Sequence, residues 1–331
     1  MTSPSAIDLD ALARGVRAGE KAFVSRALNL IENRRPEFER QMARLLALLG
    51  KDRGESHGHR IGLTGPPGVG KSSLVAVLAR ELRARGQTVG IVAVDPSSMR
   101  SGGALLGDRA RMAFDPLDNG LFVRSLATQG ALGGLAHATH AAVEVLAAAY
   151  DLVLVETVGV GQTEISVTHV SDTVVLVVQP GSGDVLQFLK AGVMEIPDLL
   201  VVNKADHGNT ASRAASDLKS ALATLRQVGA GDGDQDVILT SARDRQGVDE
   251  LADALARHRQ SLGETGVADR RRAGHVAWSV EWLARRVGTL GLDALGGAEE
   301  TGALLAAAVR RGEPALSAAQ ALADKVPVGR R

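Results

Sequence analysis

The sequence contains no cysteine, few aromatic residues and no excess of either charge. The absence of cysteine excludes disulfides, thiolate zinc sites, cysteine-ligated iron–sulfur clusters and cysteine nucleophiles. Two Trp, one Tyr and five Phe among 331 residues leave a core that Val, Leu, Ile and Ala must fill, as suits a parallel sheet covered by helices. Lysine and arginine total 38, as do aspartate and glutamate. A broad nucleic-acid or anionic-membrane surface is therefore not expected.

Long apolar runs are also missing. No uninterrupted stretch approaches the roughly 20 residues that cross a membrane. The first ten residues, MTSPSAIDLD, contain no basic stretch followed by an apolar one. We therefore expect a cytoplasmic protein without a membrane partner. Hydrophobic residues make up 45% of the chain, which is enough for a sizeable core.

The hydrophobic pattern changes twice along the chain and indicates three segments. Residues 1–50 carry apolar side chains at helical spacing and form a predicted N-terminal helical extension. The polar, glycine-rich stretch Gly50–Arg60 is typical of a linker. Residues 51–262 alternate β-branched runs with helical patterns and form the predicted central domain. Residues 263–331 show no strand pattern and form a predicted helical C-terminal segment.

The central segment is predicted to be a doubly wound α/β domain. Seven strands are predicted, at Arg60–Thr64, Thr88–Val94, Leu121–Ser125, Asp151–Val155, Thr173–Val178, Leu199–Val202 and Val237–Leu239. Helical patterns follow most of them, at Ser72–Arg85, Leu132–Tyr150, Val185–Met194, Ala211–Val228 and Val248–Leu262. Alternating strands and helices form right-handed βαβ units. We therefore expect a mostly parallel sheet with the functional site at the carboxyl ends of its strands.

A phosphate-binding loop follows the first predicted strand. The segment Gly65–Ser72, GPPGVGKS, matches the pattern G-x-x-x-x-G-K-[ST] between a strand and a helix. Its glycines let backbone N–H groups converge on phosphate oxygens at a helix N-terminus. Lys71 is expected to reach the β- and γ-phosphates, and the Ser72 hydroxyl to bind Mg²⁺. The predicted nucleotide contacts of this loop are Gly65, Pro66, Pro67, Gly68, Val69, Gly70, Lys71, Ser72 and Ser73.

A second loop predicts guanine as the base. Asn203, Lys204 and Asp206 follow a predicted strand and match the pattern N-K-x-D. The Asp206 carboxylate can accept from the ring N–H and the exocyclic amino group of guanine, whereas adenine offers neither donor in that arrangement. Ser241 and Ala242, after the last predicted strand, form another loop of the type that packs on guanine. These residues favour GTP over ATP.

Acidic residues near the same edge are candidate Mg²⁺ ligands. Glu156 follows a predicted strand and can hold Mg²⁺ through water, while the Gly159 N–H can sense the γ-phosphate. Asp95 follows another predicted strand, and Asp108 lies in a glycine-led segment that could close over phosphate. The predicted catalytic residues are Lys71, Asp95, Asp108 and Glu156, and the predicted metal ligands are Ser72, Asp95, Asp108 and Glu156.

The sequence leaves the water-positioning residue open. The residue directly after the glycine is not glutamine, and Gln162 lies too far along to be more than a doubtful catalyst. Arg109 and Arg111 are conceivable transition-state cations, although most such arginines only make surface pairs. His137 and His140 share a predicted helical face, but two imidazoles without a third ligand favour a solvated pair over a metal site.

Together these motifs resemble those of the MeaB/ArgK family of P-loop GTPases. Members of that family are chaperones of adenosylcobalamin-dependent methylmalonyl-CoA mutase and related acyl-CoA mutases. Glu156, where other GTPases commonly have Asp, is the feature that distinguishes the family. The resemblance extends over nearly the whole chain and is carried by residues 64–74, 94–98, 102–109, 156–164 and 182–206.

The resemblance implies a function as well as a fold. It implies slow GTP hydrolysis that the mutase accelerates, and control of cofactor loading so that damaged adenosylcobalamin is released. It implies a homodimer to which the C-terminal helices contribute. Asp184 and Lys190 match a loop, Gln179–Lys190, that relays the nucleotide state to the mutase. Cobalamin is expected to bind the partner, since this chain lacks the D-x-H-x-x-G pattern of many cobalamin proteins.

Two other functional classes are weighed against this one. Nickel-delivering GTPases resemble this fold, but they carry Cys or His ligands near the nucleotide, and this chain has no cysteine. A transport-associated ATPase or kinase is a label sometimes attached to the same family. The N-K-x-D pattern at Asn203–Asp206 argues against ATP.

Overall fold

A computed structural model describes residues 7–33, 35–50, 58–95, 114–115, 117–127, 137–157, 167–181, 197–227 and 236–326. Seven strands in these residues form one sheet: β1 (His59–Thr64), β2 (Val89–Asp95), β3 (Leu121–Ala127), β4 (Leu152–Glu156), β5 (Thr173–Val178), β6 (Leu199–Val202) and β7 (Val237–Leu239). Their order is β3-β2-β4-β1-β5-β6-β7, and all six pairings are parallel. The predicted doubly wound sheet is confirmed.

Nine α-helices lie in the described part of the chain. They are α1 (Leu9–Arg17), α2 (Lys21–Glu32), α3 (Pro36–Gly50), α4 (Lys71–Ala84), α5 (His137–Ala149), α6 (Asn209–Gln227), α7 (Val248–Asp293), α8 (Gly297–Arg310) and α9 (Ala315–Ala323). The helical nature of both predicted extensions is therefore confirmed. The helix predicted at Val185–Met194 lies outside the described residues.

The last of the predicted helices ends where its pattern indicates. The pattern predicts an end at Leu262, and although α7 as a whole runs to Asp293, its helical backbone is interrupted at Gly263. Gly263 (φ 59°, ψ 179°) and Gly288 (φ 71°, ψ 177°) have non-helical backbone angles, so α7 consists of successive helical stretches. The predicted boundary between the central domain and the C-terminal segment thus falls on the first of these interruptions.

The sheet is buried on both faces because its strands consist largely of β-branched and aliphatic residues. All six residues of β5, TVVLVV, are buried. Alternate side chains of a strand point to opposite faces. In β2, Ile91 and Ala93 belong to the hydrophobic cluster that contains α4 and the start of α7. Val92 and Val94 belong to the cluster that contains α5.

The second of these clusters joins the three predicted segments. It includes Leu28 and Leu45 from the N-terminal helices, Leu146 from α5, and Leu283 and Leu305 from the C-terminal helices. All five side chains are completely inaccessible to solvent. Both helical extensions therefore pack against the same face of the central sheet.

Charged side chains attach α7 to the amino-terminal edge of the sheet. Asp172, directly before β5, accepts hydrogen bonds of 2.8 and 2.6 Å from the Arg271 guanidinium. Asp198, directly before β6, accepts two bonds of 2.8 Å from Arg270 and lies 3.2 Å from His258 Nε2. Burial raises the pKa of both carboxyl groups, but the hydrogen bonds from these partners outweigh it. The net result is that the pKa of Asp172 is lowered and the pKa of Asp198 is lowered to about 2.

None of the helices in the described residues combines the length and the apolarity needed to cross a membrane.

Candidate nucleotide-binding site

The predicted phosphate loop connects β1 to α4 at the carboxyl edge of the sheet. Gly65, Gly68 and Gly70 have φ angles of 140°, 81° and 94°, which disfavour residues with a side chain. Space is also limiting at Gly65, where an added Cβ would lie 2.0 Å from the Val177 carbonyl oxygen. The glycines therefore permit both the tight turn and the close approach of the loop to β5.

Lys71 begins α4 and places its ammonium group inside this loop. Its Nζ donates to the carbonyl oxygens of Gly65 (2.8 Å) and Pro66 (3.0 Å). The side chain is only 6% exposed. A buried ammonium held by loop carbonyls supplies positive charge beside backbone N–H groups at a helix N-terminus, an arrangement that suits phosphate.

Ser72 and Glu156 bring a hydroxyl and a carboxylate oxygen together next to the loop. The Ser72 hydroxyl donates to Glu156 Oε1 at 2.5 Å. Glu156 ends β4, which pairs with β1 so that Glu156 is opposite Leu63. Mg²⁺ prefers hydroxyl, carboxylate and water oxygens, so this pair is chemically suited to hold that ion. The residues proposed as its ligands from sequence, Ser72 and Glu156, are therefore brought together.

Asp95 lies at the carboxyl end of β2, on the same edge of the sheet as Glu156. The strand β2 pairs with β4, with Ala93 opposite Glu156. The Asp95 side chain is outside the described part of the structure, and only its backbone position is known. The other residues weighed in the sequence analysis that lie outside the described residues are Asp108, Arg109, Arg111, Gly159, Gln162, Asp184 and Lys190.

Asn203 connects the phosphate loop to the loops of the predicted base site. It follows β6 directly and is 1% exposed. Its Nδ2 donates to the Val69 carbonyl oxygen at 2.8 Å. Its Oδ1 accepts from the Thr240 hydroxyl (3.2 Å) and the Ala242 backbone N–H (3.3 Å). The buried Asn203 amide thus fixes the relative positions of three segments of the chain.

Asp206 lies in the turn after β6 with its carboxylate held by neighbouring groups. The Ser241 hydroxyl donates to Asp206 Oδ1 at 2.9 Å and accepts from the Asp244 backbone N–H at 3.1 Å. Arg243 Nη1 lies 3.7 Å from Asp206 Oδ2. The hydrogen bond from Ser241 is the main cause that lowers the pKa of Asp206. The group is therefore an ionised acceptor, as reading two guanine donors requires.

Lys204 has an unusual backbone and contacts a residue outside the predicted site. Its φ of 64° and ψ of 42° are left-handed, which is uncommon for a residue with a side chain. Its Nζ donates to the Gly68 carbonyl oxygen (2.9 Å) and to Gln179 Oε1. The sequence distinguishes Gln179 only as the first residue of the predicted relay loop. A signal that could have identified it is its position directly after β5, at the edge where the other site residues lie.

The family to which the chain belongs follows from comparison with known proteins. The family model described as methylmalonyl Co-A mutase-associated GTPase MeaB matches residues 24–291. The chain belongs to the MeaB family. Its phosphate loop, the Ser72–Glu156 pair and the Asn203–Asp206 turn all lie inside the matched region.

Relatives of this MeaB-family GTPase are found in bacteria and animals. A probable GTPase of Mycobacterium tuberculosis is 43% identical over 275 residues, which cover 82% of this chain and 81% of that protein. A putative GTPase of Caulobacter vibrioides is 39% identical over 323 residues, which cover 95% and 96%. The mitochondrial methylmalonic aciduria type A homolog of Mus musculus is 35% identical over 282 residues, which cover 82% and 68%.

A solved structure resembles the MeaB-family fold over almost its whole length. The crystal structure of a LAO/AO transport system kinase has a TM-score of 0.65 and 28% identity, and the match covers 98% of this chain and 99% of that one. That name applies to the solved protein and is not carried over to this chain. In the present chain the residues at Asn203–Asp206 are those expected for a guanine site.

A second polar cluster lies away from the nucleotide edge of this MeaB-family protein. His140 and Glu144 on α5 and His275 on α7 have donor atoms within 4.8 Å of one another, a set that could hold a metal ion. His275 Nε2 lies 2.7 Å from Glu144 Oε1. The Arg60 guanidinium, however, donates to both Glu144 oxygens at 2.6 and 2.9 Å. Since Arg60 already balances the carboxylate charge, a divalent cation would add uncompensated positive charge to a buried site.

The aromatic neighbour of His140 comes from a distant part of the chain. Local spacing pairs His140 with His137, whose side chain is outside the described residues. The structure places the His140 ring against Trp278, with ring centroids 4.3 Å apart and planes at 7°. Because Trp278 lies on α7, far along the chain from α5, no local spacing in the sequence could have indicated this contact.

Proposed function

We propose that this chain is a Mg²⁺-dependent GTP-hydrolysing chaperone of methylmalonyl-CoA mutase or a related acyl-CoA mutase. In this proposal it gates the loading of adenosylcobalamin and protects or reactivates the mutase. The observation that carries the proposal is the convergence of Lys71, the Ser72–Glu156 pair and the Asn203–Asp206 loop at one edge. The family description and the relatives named for methylmalonic aciduria support the choice of partner.

The residues of the chain have distinct functions in nucleotide binding. The loop from Gly65 to Ser73 binds the phosphates through backbone N–H groups, and Lys71 neutralises charge on the β- and γ-phosphates. Asp206 accepts from the guanine ring N–H and amino group, and Ser241 with Ala242 closes the base site. Ser72 and Glu156 would hold Mg²⁺, which would supply positive charge to the phosphate oxygens.

Hydrolysis breaks the bond between the γ-phosphorus and the β–γ bridging oxygen of GTP. Water attacks the γ-phosphorus in line, GDP leaves and inorganic phosphate forms. Lys71 stabilises the charge that develops on the bridging oxygen. Turnover by the chain alone is slow, because no glutamine occupies the position directly after Gly159. The proposed metal and switch residues that complete the site are Asp95, Asp108 and Gly159.

The remaining parts of the proposal concern assembly. Asp184 and Lys190 relay the nucleotide state to the mutase. The chain is a cytoplasmic homodimer to which residues 263–331 contribute, the central GTPase domain spans residues 51–262, and residues 1–50 form the N-terminal extension. Cobalamin binds the mutase and not this chain. Neither nucleic acid nor a membrane takes part.

The test is phosphate release from GTP by the purified protein with and without purified methylmalonyl-CoA mutase. We expect slow GTP turnover that rises at least about 10-fold with the mutase, since an added transition-state interaction of about 1.4 kcal/mol suffices. Asp184→Ala should keep the basal rate and lose most of the stimulation. An unchanged rate on adding active mutase would refute the partner while leaving the GTPase assignment standing.

A further inference from the structure

Gln179 contacts the base-reading loop, although it belongs to none of the nucleotide-binding motifs. It follows β5, and its side-chain carbonyl accepts from the Lys204 ammonium. The same ammonium donates to the carbonyl oxygen of Gly68 in the phosphate loop at 2.9 Å. Three segments of the chain, those after β1, β5 and β6, thus meet at one charged group.

The backbone of Lys204 is fixed at the same point. Its left-handed conformation, with φ 64° and ψ 42°, persists in a residue with a side chain only when the surroundings enforce it. The neighbouring residues supply that constraint, because the Ala205 N–H donates to the Thr240 carbonyl oxygen at 2.9 Å. The Asn203 N–H donates to the Val178 carbonyl oxygen at 2.9 Å. The main chain is therefore held on both sides of Lys204.

A separate set of hydrogen bonds holds the side chain of Lys204. A lysine ammonium is a strongly hydrated group on a flexible four-carbon chain, and its three N–H donors require hydrogen-bond acceptors when water is removed. Gly68 supplies one acceptor, and Gln179 supplies another from a different segment of the chain. Because glutamine is neutral, the pairing fixes the ammonium without cancelling its positive charge.

We propose that Gln179 is a positioning residue for guanine-nucleotide binding. It holds the Lys204 ammonium against Gly68 and thereby keeps the phosphate loop and the base-reading loop in their binding geometry before nucleotide arrives. This inference rests on the proposed nucleotide site. It assigns to Gln179 a contribution to nucleotide affinity that does not depend on direct contact between Gln179 and the nucleotide.

The test measures the dissociation rate of a fluorescent GDP analogue from Gln179→Met, which keeps side-chain length and removes the acceptor. Because this substitution removes a hydrogen bond to a charged group, we expect dissociation about 10-fold faster than in the wild type. Gln87→Met is the matched control, since Gln87 is exposed and precedes β2 at the opposite edge of the sheet. It should leave the rate unchanged.

A double-mutant cycle separates positioning from a general structural effect. In the Lys204→Met variant the Gln179 side-chain carbonyl has no ammonium group to accept from. Adding Gln179→Met to that variant should therefore change the dissociation rate by less than about 2-fold. A 10-fold effect that persists in that background, or no effect in the wild-type background, would overturn the inference. Failure of the wild type to bind the GDP analogue would instead refute the proposed nucleotide site. Thermal unfolding of each variant checks that the fold is retained.

Discussion

At the scale of single residues, three polar groups of the candidate site, Lys71, Asn203 and Asp206, have neutral hydrogen-bond partners. Loop carbonyls hold Lys71, backbone and hydroxyl groups hold Asn203, and the Ser241 hydroxyl holds Asp206. Neutral partners orient these groups without removing the charge of Lys71 or Asp206. A site arranged in this way is organised in advance for a charged, polar ligand, because little reorientation is needed on binding.

The base-reading role proposed for Asp206 leads to a prediction about nucleotide preference. In Asp206→Asn, one acceptor becomes an N–H donor, which matches the C2 carbonyl of xanthine and opposes the amino group of guanine. We expect affinity for GDP to fall about 100-fold and affinity for the xanthine nucleotide to rise. Isothermal titration calorimetry with both nucleotides provides the measurement.

The control for that exchange is Asp236→Asn, a similar substitution at an exposed position directly before β7. It should leave both affinities unchanged. If Asp206→Asn retained the wild-type preference for guanine, the assignment of Asp206 as the base-reading residue would be wrong.

At the scale of secondary-structure elements, the strands could be predicted and the contacts between distant elements could not. All seven predicted strands are present because each is a short apolar run bounded by polar or glycine residues, and such runs indicate buried parallel strands. The contact of Asp172 with Arg271 joins positions 99 residues apart. The interruption of α7 at Gly263, by contrast, was predictable, since a glycine directly after a helical pattern commonly indicates a helix end.

The amino-terminal edge of the sheet contains a buried histidine with a consequence for acid stability. His59 is 8% exposed, and its Nε2 lies 2.7 Å from the Thr173 hydroxyl. Burial lowers its pKa to about 4, opposed in part by Asp172. His59 is therefore neutral in the folded protein at about pH 6, where an unfolded chain with a pKa near 6.5 is already more than half protonated.

Stability should consequently decrease as the pH falls from about 6.5 to about 4, because over this range the unfolded chain binds a proton that the folded chain excludes. The loss attributable to His59 is roughly 3 kcal/mol in the free energy of unfolding. Urea unfolding at several pH values tests this with His59→Gln, which has no titrating group and should show a shallower decrease. Equal slopes for wild type and His59→Gln would contradict the prediction.

At the scale of the whole molecule, the central sheet and both helical extensions share one hydrophobic cluster. The helical character of the extensions was predictable from spacing, whereas their packing on a common face was not, since apolar periodicity does not identify the partner of a helix. The convergence of the candidate-site loops was predictable for a different reason. The loops follow strands in the chain, and the carboxyl ends of parallel strands meet at one edge. The contact of Gln179 with Lys204 was not predictable, because the two residues are 25 positions apart in the chain.

The most direct measurement is the rate of phosphate release from GTP and from ATP by the whole chain and by Lys71→Ala, with Mg²⁺ present. The proposed site should hydrolyse GTP and leave ATP nearly untouched, with a ratio of at least about 100, because Asp206 finds no matching donors on adenine. Lys71→Ala should lose the GTP activity while remaining folded by circular dichroism. Equal rates on GTP and ATP, or undiminished turnover by folded Lys71→Ala, would contradict the proposed guanine-nucleotide site.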